Sequence, residues 1–391
     1  MQNDTPSWFN RRANRFREYL RWAEHAKAET GKSVHQQLRE IRALNKTGGQ
    51  CGVSDYYWYK LYDDHYLEGG PGDFLGWRLQ QRLSLTLNPR NAVLPAWDKC
   101  VFLQLASAAG LPVAPVSACF HPAGRLSQTL GLHLKTKRDV ERYLRDPSRY
   151  PLFAKPAYSQ QGYGSAYLAG FDPAKDRLSL LDGETIPLDT FLKQIDTPVD
   201  HRYHRPECGF LFQEPLALAP EILELTDWPA ISGVRIVCLN GHDGVRPIRA
   251  IWKIAVPPNH VDNFSLGKYG NLLANIDLKT GEISRVINGF WPKTRVLSSH
   301  PASGKSLMGF RLPGWNRILE ACNHGGAVFP LMKIHHWDFA ITKDGPKILE
   351  LNDLGSTEFL QVHGRGLLTD QTRAFLKRHA DSTAHPWVKA L

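Results

Sequence analysis

The chain has 391 residues, 42% hydrophobic and 22% charged, with a formal net charge of +10, which is ordinary globular composition with room for one large composite domain or two to three subdomains. No apolar run approaches the ~20 residues of a membrane helix. The start, MQNDTPSWFNRRANRF, lacks the apolar segment of a signal peptide, so a cytoplasmic protein is expected. Six scattered cysteines without a CxxC pair point to free thiols rather than a zinc site. In chain order, the first element is the most basic: Arg11 to Lys46 holds ten Lys and Arg against four Glu. It reads as helical, with Phe16, Tyr19, Leu20, Ala23, Leu38 and Ile41 on one side. That face is either packed on the body or offered to an anionic partner: a membrane surface, a phosphorylated lipid carrier or, last, nucleic acid, for which no motif follows. Residues 1–90 form a basic, aromatic-rich helical extension that includes SDYYWYKLYDDHYL at 54–67.

From Trp97 the texture changes. A helix is expected from Lys99 to Ala109, stopped by Gly110, then a short strand after Pro112. Residues 150–216 alternate strand, glycine loop, strand, strand, helix, strand: FAKPA ended by Pro156, the loop Ser159–Ser165 (SQQGYGS), AYLAGFD, RLSLLDG, a short helix capped near Asp189, and GFLFQEPL. SGVRIVCLN and PIRAIWKIAVPP read as an antiparallel pair around Asn240-Gly241. A polar loop, DNFSLGKYGNLLANIDLKTGEI, follows. A helix near Trp315–Asn323 precedes the hairpin HHWDFAITKDGPKILELND, and LTDQTRAFLKRHA closes the chain as a helix. Strands followed by glycine loops, with helices between, make an α+β protein built in layers.

The hairpin poses the chemical question, because it sets acidic residues into strands that ought to be dry. With a turn centred on Asp344-Gly345, Asp338 lies across from Glu350–Leu351, and Glu350 and Asn352 share a side of their strand. Ionised carboxylates there are costly unless paired with Lys or Arg or bound to a cation. Asp338, Glu350 and Asn352 offer oxygen ligands only, which suits Mg²⁺ with substrate phosphate. Lys155 in FAKPA is either a snorkelling strand residue or a phosphate contact, since a loop able to wrap a phosphate follows within four residues. Gln213 and Glu214 end an apolar strand, as an ordinary terminus or as an adenine and ribose contact. Arg235, inside a β-branched run, suits a structural ion pair or bidentate binding of carboxylate or phosphate. The adjacent His335 and His336 point to opposite faces and read as structural.

In order, these residues are similar to the ATP-grasp superfamily, and most closely to its sugar-transfer associated family. The resemblance is carried by WDK at 97–99, FAKPA, SGVRIV, DNFS at 262–265 and WDFAIT-KDGP-ILELN, whose D-x11-E-x-N spacing is the most specific. It runs from about Trp97 to Gly355. It implies an α+β ATP-grasp fold, two α/β subdomains clamping a nucleotide, after an N-terminal helical extension. The ATP-grasp domain would span 91–391: an N-terminal part 91–149, a nucleotide-lid subdomain 150–216, and a metal and acceptor subdomain 217–391. The implied cofactors are ATP and Mg²⁺, with Mn²⁺ as the alternative. Lys99 and Lys155 would contact the phosphates and the nucleotide edge, and the loop with Ser159, Gly162 and Gly164 would close over them. Gln213 and Glu214 would face adenine and ribose, and Asp338, Glu350 and Asn352 would hold the metal. Arg235 would steady the transferred phosphoryl group or the carboxylate, joined by Asn263, with Lys253 and His300 near matching stretches. Two departures stand out: LGKYGN follows DNFS where the family has a paired-glycine turn, and the glycine loop is Gln-rich.

The expected reaction is activation of a carboxylate as an acylphosphate for attack by an amine or hydroxyl, in sugar or glycan biosynthesis. The alternatives are a phosphotransferase and a non-catalytic ATP-binding scaffold in glycan assembly. Expected partners are a small-molecule carboxylate and an amine or hydroxyl acceptor, with peripheral contact to an anionic membrane surface or glycan-assembly enzymes.

Overall fold

A computed structural model describes residues 8–122, 130–159, 162–197 and 205–391. The chain divides into two compact units. Unit 1 comprises 1–87, 287–296 and 354–391, and unit 2 comprises 88–286 and 297–353.

Unit 1 is helical. Its first two helices, Trp8–Thr30 and Val34–Asn45, are separated by Gly31 at φ +76°, so the basic segment is two helices rather than one. Ser33 caps the second by accepting from the Gln36 N–H. The expected apolar side divides: Ala23 and Ile41 are buried, but Phe16, Leu20 and Leu38 are exposed, Phe16 by 64%. The buried face is held by aromatic rings. Tyr57 stacks on Trp291 at 5.4 Å, and Trp22 meets Trp291 edge-on at 5.3 Å. Their polar ends are satisfied within the unit: Trp291 donates to the Tyr62 hydroxyl, Tyr62 to Glu29, and Tyr57 to Gln37.

Unit 2 contains most of the strands. In chain order the strands are β1 Val116–Phe120, β2 Leu132–Leu134, β3 Leu152–Pro156, β4 Ala166–Asp172, β5 Arg177–Leu180, β6 Thr185–Pro187 and β7 Phe210–Gln213. There follow β8 Gly233–Gly241, β9 Gly244–Ile254, β10 Leu272–Ile276, β11 Ile283–Asn288, β12 Arg295–Leu297, β13 Ile334–Thr342 and β14 Gly345–Asn352. They form two seven-stranded sheets, ordered β2-β1-β7-β3-β4-β5-β6 and β12-β11-β10-β9-β8-β13-β14. One face of the first sheet buries Ala154, Leu168 and Phe212 with Val140, Leu144 and Phe191 from the helices Lys137–Leu144 and Leu188–Asp196. The second sheet buries Ile236, Trp252, Trp337 and Phe339 with Phe102 from the helix Lys99–Ala108 and Ile318 and Cys322 from the helix Trp315–Val328. Each such large side chain contributes about 1.5–3 kcal/mol on burial.

Several local expectations shift. The β8–β9 turn falls at His242-Asp243, two residues beyond the expected Asn240-Gly241. The loop read as polar contains β10, whose Leu272 and Leu273 are fully buried. The helix Leu188–Asp196 begins directly after Pro187 with no side-chain cap, and Asp189 sits in its first turn, paired with Lys193 at 2.6 Å. The hairpin turn is Lys343-Asp344, with Gly345 at φ +97° opening β14.

Candidate functional site

The site is built on the face of the second sheet opposite its apolar core. β13 runs antiparallel between β8 and β14, and Asp338 pairs with Arg235 on one side and Glu350 on the other. Directly opposed residues share a face, so Arg235, Asp338 and Glu350 form a row across three strands. Glu350 reaches that row through a bulge. Phe339 pairs with Ile348 while Asp338 pairs with Glu350, which leaves Leu349 as the extra residue. In an unbroken ladder Leu349 would oppose Asp338, and Glu350 would turn into the core.

Arg235 grips Asp338 with two bonds, Nε to Oδ1 at 2.8 Å and Nη2 to Oδ2 at 2.6 Å. Burial opposes both charges, but each offsets it for the other. Arg235 is held above the ordinary arginine value, and Asp338 well below the carboxylate range, with Lys253 adding to the pull on Asp338. Lys253, on β9, lies 3.1 Å from Asp262 Oδ2 and 3.6 Å from Asp338 Oδ2. Burial would lower its pKa, but Asp262 and Asp338 raise it above the usual lysine value. Asp262 is fixed in turn, because its Oδ2 accepts the Gly233 N–H at 2.8 Å. A Cβ at Gly233 would stand 2.5 Å from that oxygen, so any larger residue would push the Asp262 carboxylate off the Gly233 N–H.

A second group of charges meets Glu350 from the helix Lys99–Ala108 and from β3 of the first sheet. Asp98 caps the helix Lys99–Ala108, accepting from the N–H groups of Cys100 and Val101, and so places Lys99 in its first turn. The Lys99 N–H donates to Ala157 O, its Nζ donates to Ser159 O at 2.8 Å, and Nζ lies 3.7 Å from Glu350 Oε2. Lys155 on β3 is buried. Burial first, then the neighbouring Lys99, push its pKa down to about 8, against the pull of Glu350. Lys99, Lys155, Arg235 and Lys253 thus outnumber the carboxylates of Asp262, Asp338 and Glu350 by one. An array of this kind has a charge surplus suited to an anion.

The other expected residues are arranged less uniformly. Asn352 donates Nδ2 to Glu350 Oε1 at 3.1 Å and belongs to the cluster. Gly162 and Gly164 have φ of +74° and +72°, and a Cβ at Gly164 would lie 2.9 Å from Pro156 Cγ. Gln160 and Gln161, the middle of the glycine loop, lie outside the described residues. Gln213 is buried and donates to Ala114 O at 3.2 Å, whereas Glu214 is exposed. Asn263 accepts the Ser265 N–H in a local turn. His300 is buried, its Nδ1 accepting from the Ser303 N–H at 3.4 Å. Among the described residues, no three His, Cys, Asp or Glu side chains converge as a metal site.

The model of the sugar-transfer associated ATP-grasp family matches residues 78–375. The chain belongs to this family. A search of curated proteins gives no match. Similar solved structures include VanG D-Ala:D-Ser ligase from Enterococcus faecalis, at 13% identity and a TM-score of 0.39, covering 77% of this chain and 68% of that one. D-alanyl-alanine synthetase A from Vibrio cholerae O1 biovar eltor is 10% identical, with a TM-score of 0.41 and coverage of 75% and 67%. N5-carboxyaminoimidazole synthetase from Staphylococcus aureus is 11% identical, with a TM-score of 0.36 and coverage of 75% and 60%. This chain therefore spans 60% to 68% of the length of these three.

Within this ATP-grasp chain, sequence reasoning left Arg235 between a structural ion pair and ligand binding without naming a partner, and the fold pairs it with Asp338. That reasoning also gave Lys253 no firm place and Asp262 none outside the DNFS stretch. The signal for Lys253 was present: like Lys155 and Arg235, it is a lone cation in an apolar strand, Ala250-Ile251-Trp252-Lys253-Ile254.

Proposed function

We propose that this protein is an ATP- and divalent-cation-dependent ligase that activates a carboxylate. A carboxylate oxygen attacks the terminal phosphorus of ATP, the bond to the ADP oxygen breaks, and an acylphosphate forms. An amine or hydroxyl then attacks the acyl carbon, phosphate leaves, and the acceptor gives up its proton. The observation that supports this reading is the half-buried charge array, with Lys99 and Lys155 on one side of Glu350 and Arg235 and Lys253 on the other. Cations fixed in advance stabilise a migrating phosphoryl group without reorganising at the moment of transfer.

In this reading Lys99 and Lys155 neutralise the nucleotide phosphates, and the backbone of Ser159, Gly162 and Gly164 encloses them. Gln213 already bonds Ala114, so Glu214 and the strand backbone take the adenine and ribose contacts. Arg235, Lys253 and Asn263 orient the carboxylate or the transferred group. Glu350, Asn352 and Asp338 would hold a hard cation: the Asn352 Nδ2 donates to Glu350 Oε1, so its Oδ1 is the atom left for a metal, and both Asp338 oxygens are shared with Arg235. Mg²⁺ there, or Mn²⁺ on the same donors, would spread the charge of the phosphates. A sugar or glycan substrate rests on the family's name.

The test uses hydroxylamine, which captures acylphosphates as hydroxamates. With ATP, Mg²⁺ and a panel of carboxylates, a ligase yields ADP and a hydroxamate. ADP with a phosphorylated acceptor and no hydroxamate means a phosphotransferase instead.

We also propose peripheral contact with an anionic membrane surface through the first helix. Phe16 and Leu20, one turn apart, are exposed beside exposed Arg15, Arg17 and Arg21. No described helix is long and apolar enough to cross a membrane. Co-sedimentation with phosphatidylglycerol vesicles but not phosphatidylcholine vesicles, lost in Phe16→Asp, is expected. Equal sedimentation with both vesicle types refutes it.

A further inference from the structure

We infer that His336 is a ligand-contacting residue of this site, hydrogen-bonding the terminal phosphoryl group of the nucleotide; this rests on the ATP reading above. β13 is buried along its whole length, and its residues alternate between two environments. His335, Trp337 and Phe339 face the apolar core, where the His335 ring meets Trp337 edge-on at 5.4 Å. His336 lies on the other face with Asp338, opposite Asn352 on β14 and Val237 on β8. It is 3% exposed, and its Nδ1 is buried with no hydrogen-bond partner.

The surroundings narrow what such a ring can do. A buried ring nitrogen without a partner is costly, and an apolar residue would fill the same space without that cost. The polar groups beside it already make bonds of their own: Arg235 gives two of its five N–H donors to Asp338, and the Asn352 amide donates to Glu350. With its ring proton on Nδ1, His336 would offer an incoming oxyanion on this face a donor with no competing bond. The row Arg235–Asp338–Glu350 and the adjacent pair His336–Asn352 place the ring next to the proposed metal and phosphate groups. A donor here recognises the phosphoryl group present in ATP and absent from ADP.

The test compares ADP with a non-hydrolysable ATP analogue, each titrated calorimetrically with Mg²⁺ into the full chain and into His336→Asn and His336→Phe. Loss of one hydrogen bond to a charged group is worth roughly 10- to 100-fold. His336→Phe should weaken the analogue by that factor while ADP affinity stays within about twofold, and His336→Asn should recover part of the loss. In parallel, ¹⁵N-histidine spectra of the unsubstituted protein, with His336 assigned from His336→Asn, should show its Nδ1 resonance moving with the analogue but not with ADP. Equal weakening of both nucleotides, or an Nδ1 resonance that does not move, overturns the assignment. Binding of neither nucleotide by the unsubstituted protein overturns the ATP reading as well, a distinct result.

Discussion

Replacing Arg235 with Met tests whether the site face depends on one buried ion pair. The change keeps much of the aliphatic volume and strands Asp338, whose side chain is 4% exposed against 15% for Arg235. Removing one partner of a buried pair costs about 3–5 kcal/mol, because the remaining charge stays desolvated. Lys253, 3.6 Å from Asp338 Oδ2, offsets part of this. A loss of about 2–4 kcal/mol is therefore expected. Hydrogen exchange of peptides spanning β8 and β13 reads it locally, as an acceleration of about 30- to 900-fold at pH 7. The double variant Arg235→Met/Asp338→Leu, with neither charge, should recover most of the loss. The pH dependence has a definite sign. In the unsubstituted protein Asp338 is held below its unfolded value, so its contribution is full above about pH 4 and fades as pH falls through its folded value. In Arg235→Met burial raises the Asp338 pKa, so the deficit shrinks as pH is lowered from 7 towards 4. An acceleration under fivefold, or a double variant as damaged as the sum of the single ones, refutes the reasoning.

Lys155→Met should stabilise the ligand-free protein at pH 7 by up to roughly 3 kcal/mol while lowering Mg-ATP affinity at least tenfold, since the fold holds this lysine's pKa near 8. The fold binds fewer protons than the unfolded chain between about pH 8 and 10.4, so the urea midpoint should rise across that window and not in Lys155→Met. Gly233→Ala should cost about 1–3 kcal/mol and abolish turnover, because the new methyl displaces Asp262 from the Gly233 N–H. Gly170→Ala, which meets nothing within 4 Å, is the thermal-melt control and should stay within about 0.5 kcal/mol.

Most of this could be read from the sequence wherever the signal was local. The alternating texture of 150–216 and the apolar runs around Arg235 and Asp338 gave strands that the fold contains, and the loop read from its glycines holds Gly162 and Gly164 at positive φ. What escaped was register and tertiary pairing. The bulge at Leu349, which aligns Glu350 with Asp338, is set by the match of two strands rather than by either one. Lys253 meets Asp262 only because a loop folds back over Gly233, a contact that no spacing encodes. Phe16 and Leu20 fit a helical stripe, but which part of that stripe is buried depends on neighbours far along the chain, such as Trp291. Strand parity put His335 and His336 on opposite faces, but which of the two shares a face with Asp338 and Arg235 follows from the pairing of β13 with β8 and β14.

The central claim is that the hairpin β13–β14 holds the metal of an ATP site. Calorimetric titration of ATP with Mg²⁺ into the protein and into Glu350→Gln, with ADP followed in the same samples, tests it most directly. The unsubstituted protein should bind Mg-ATP, and Glu350→Gln should lose the metal-dependent part of binding and turnover. Mg-ATP binding of equal strength in both would move the metal away from Glu350, and no ATP binding by either would contradict the nucleotide site itself.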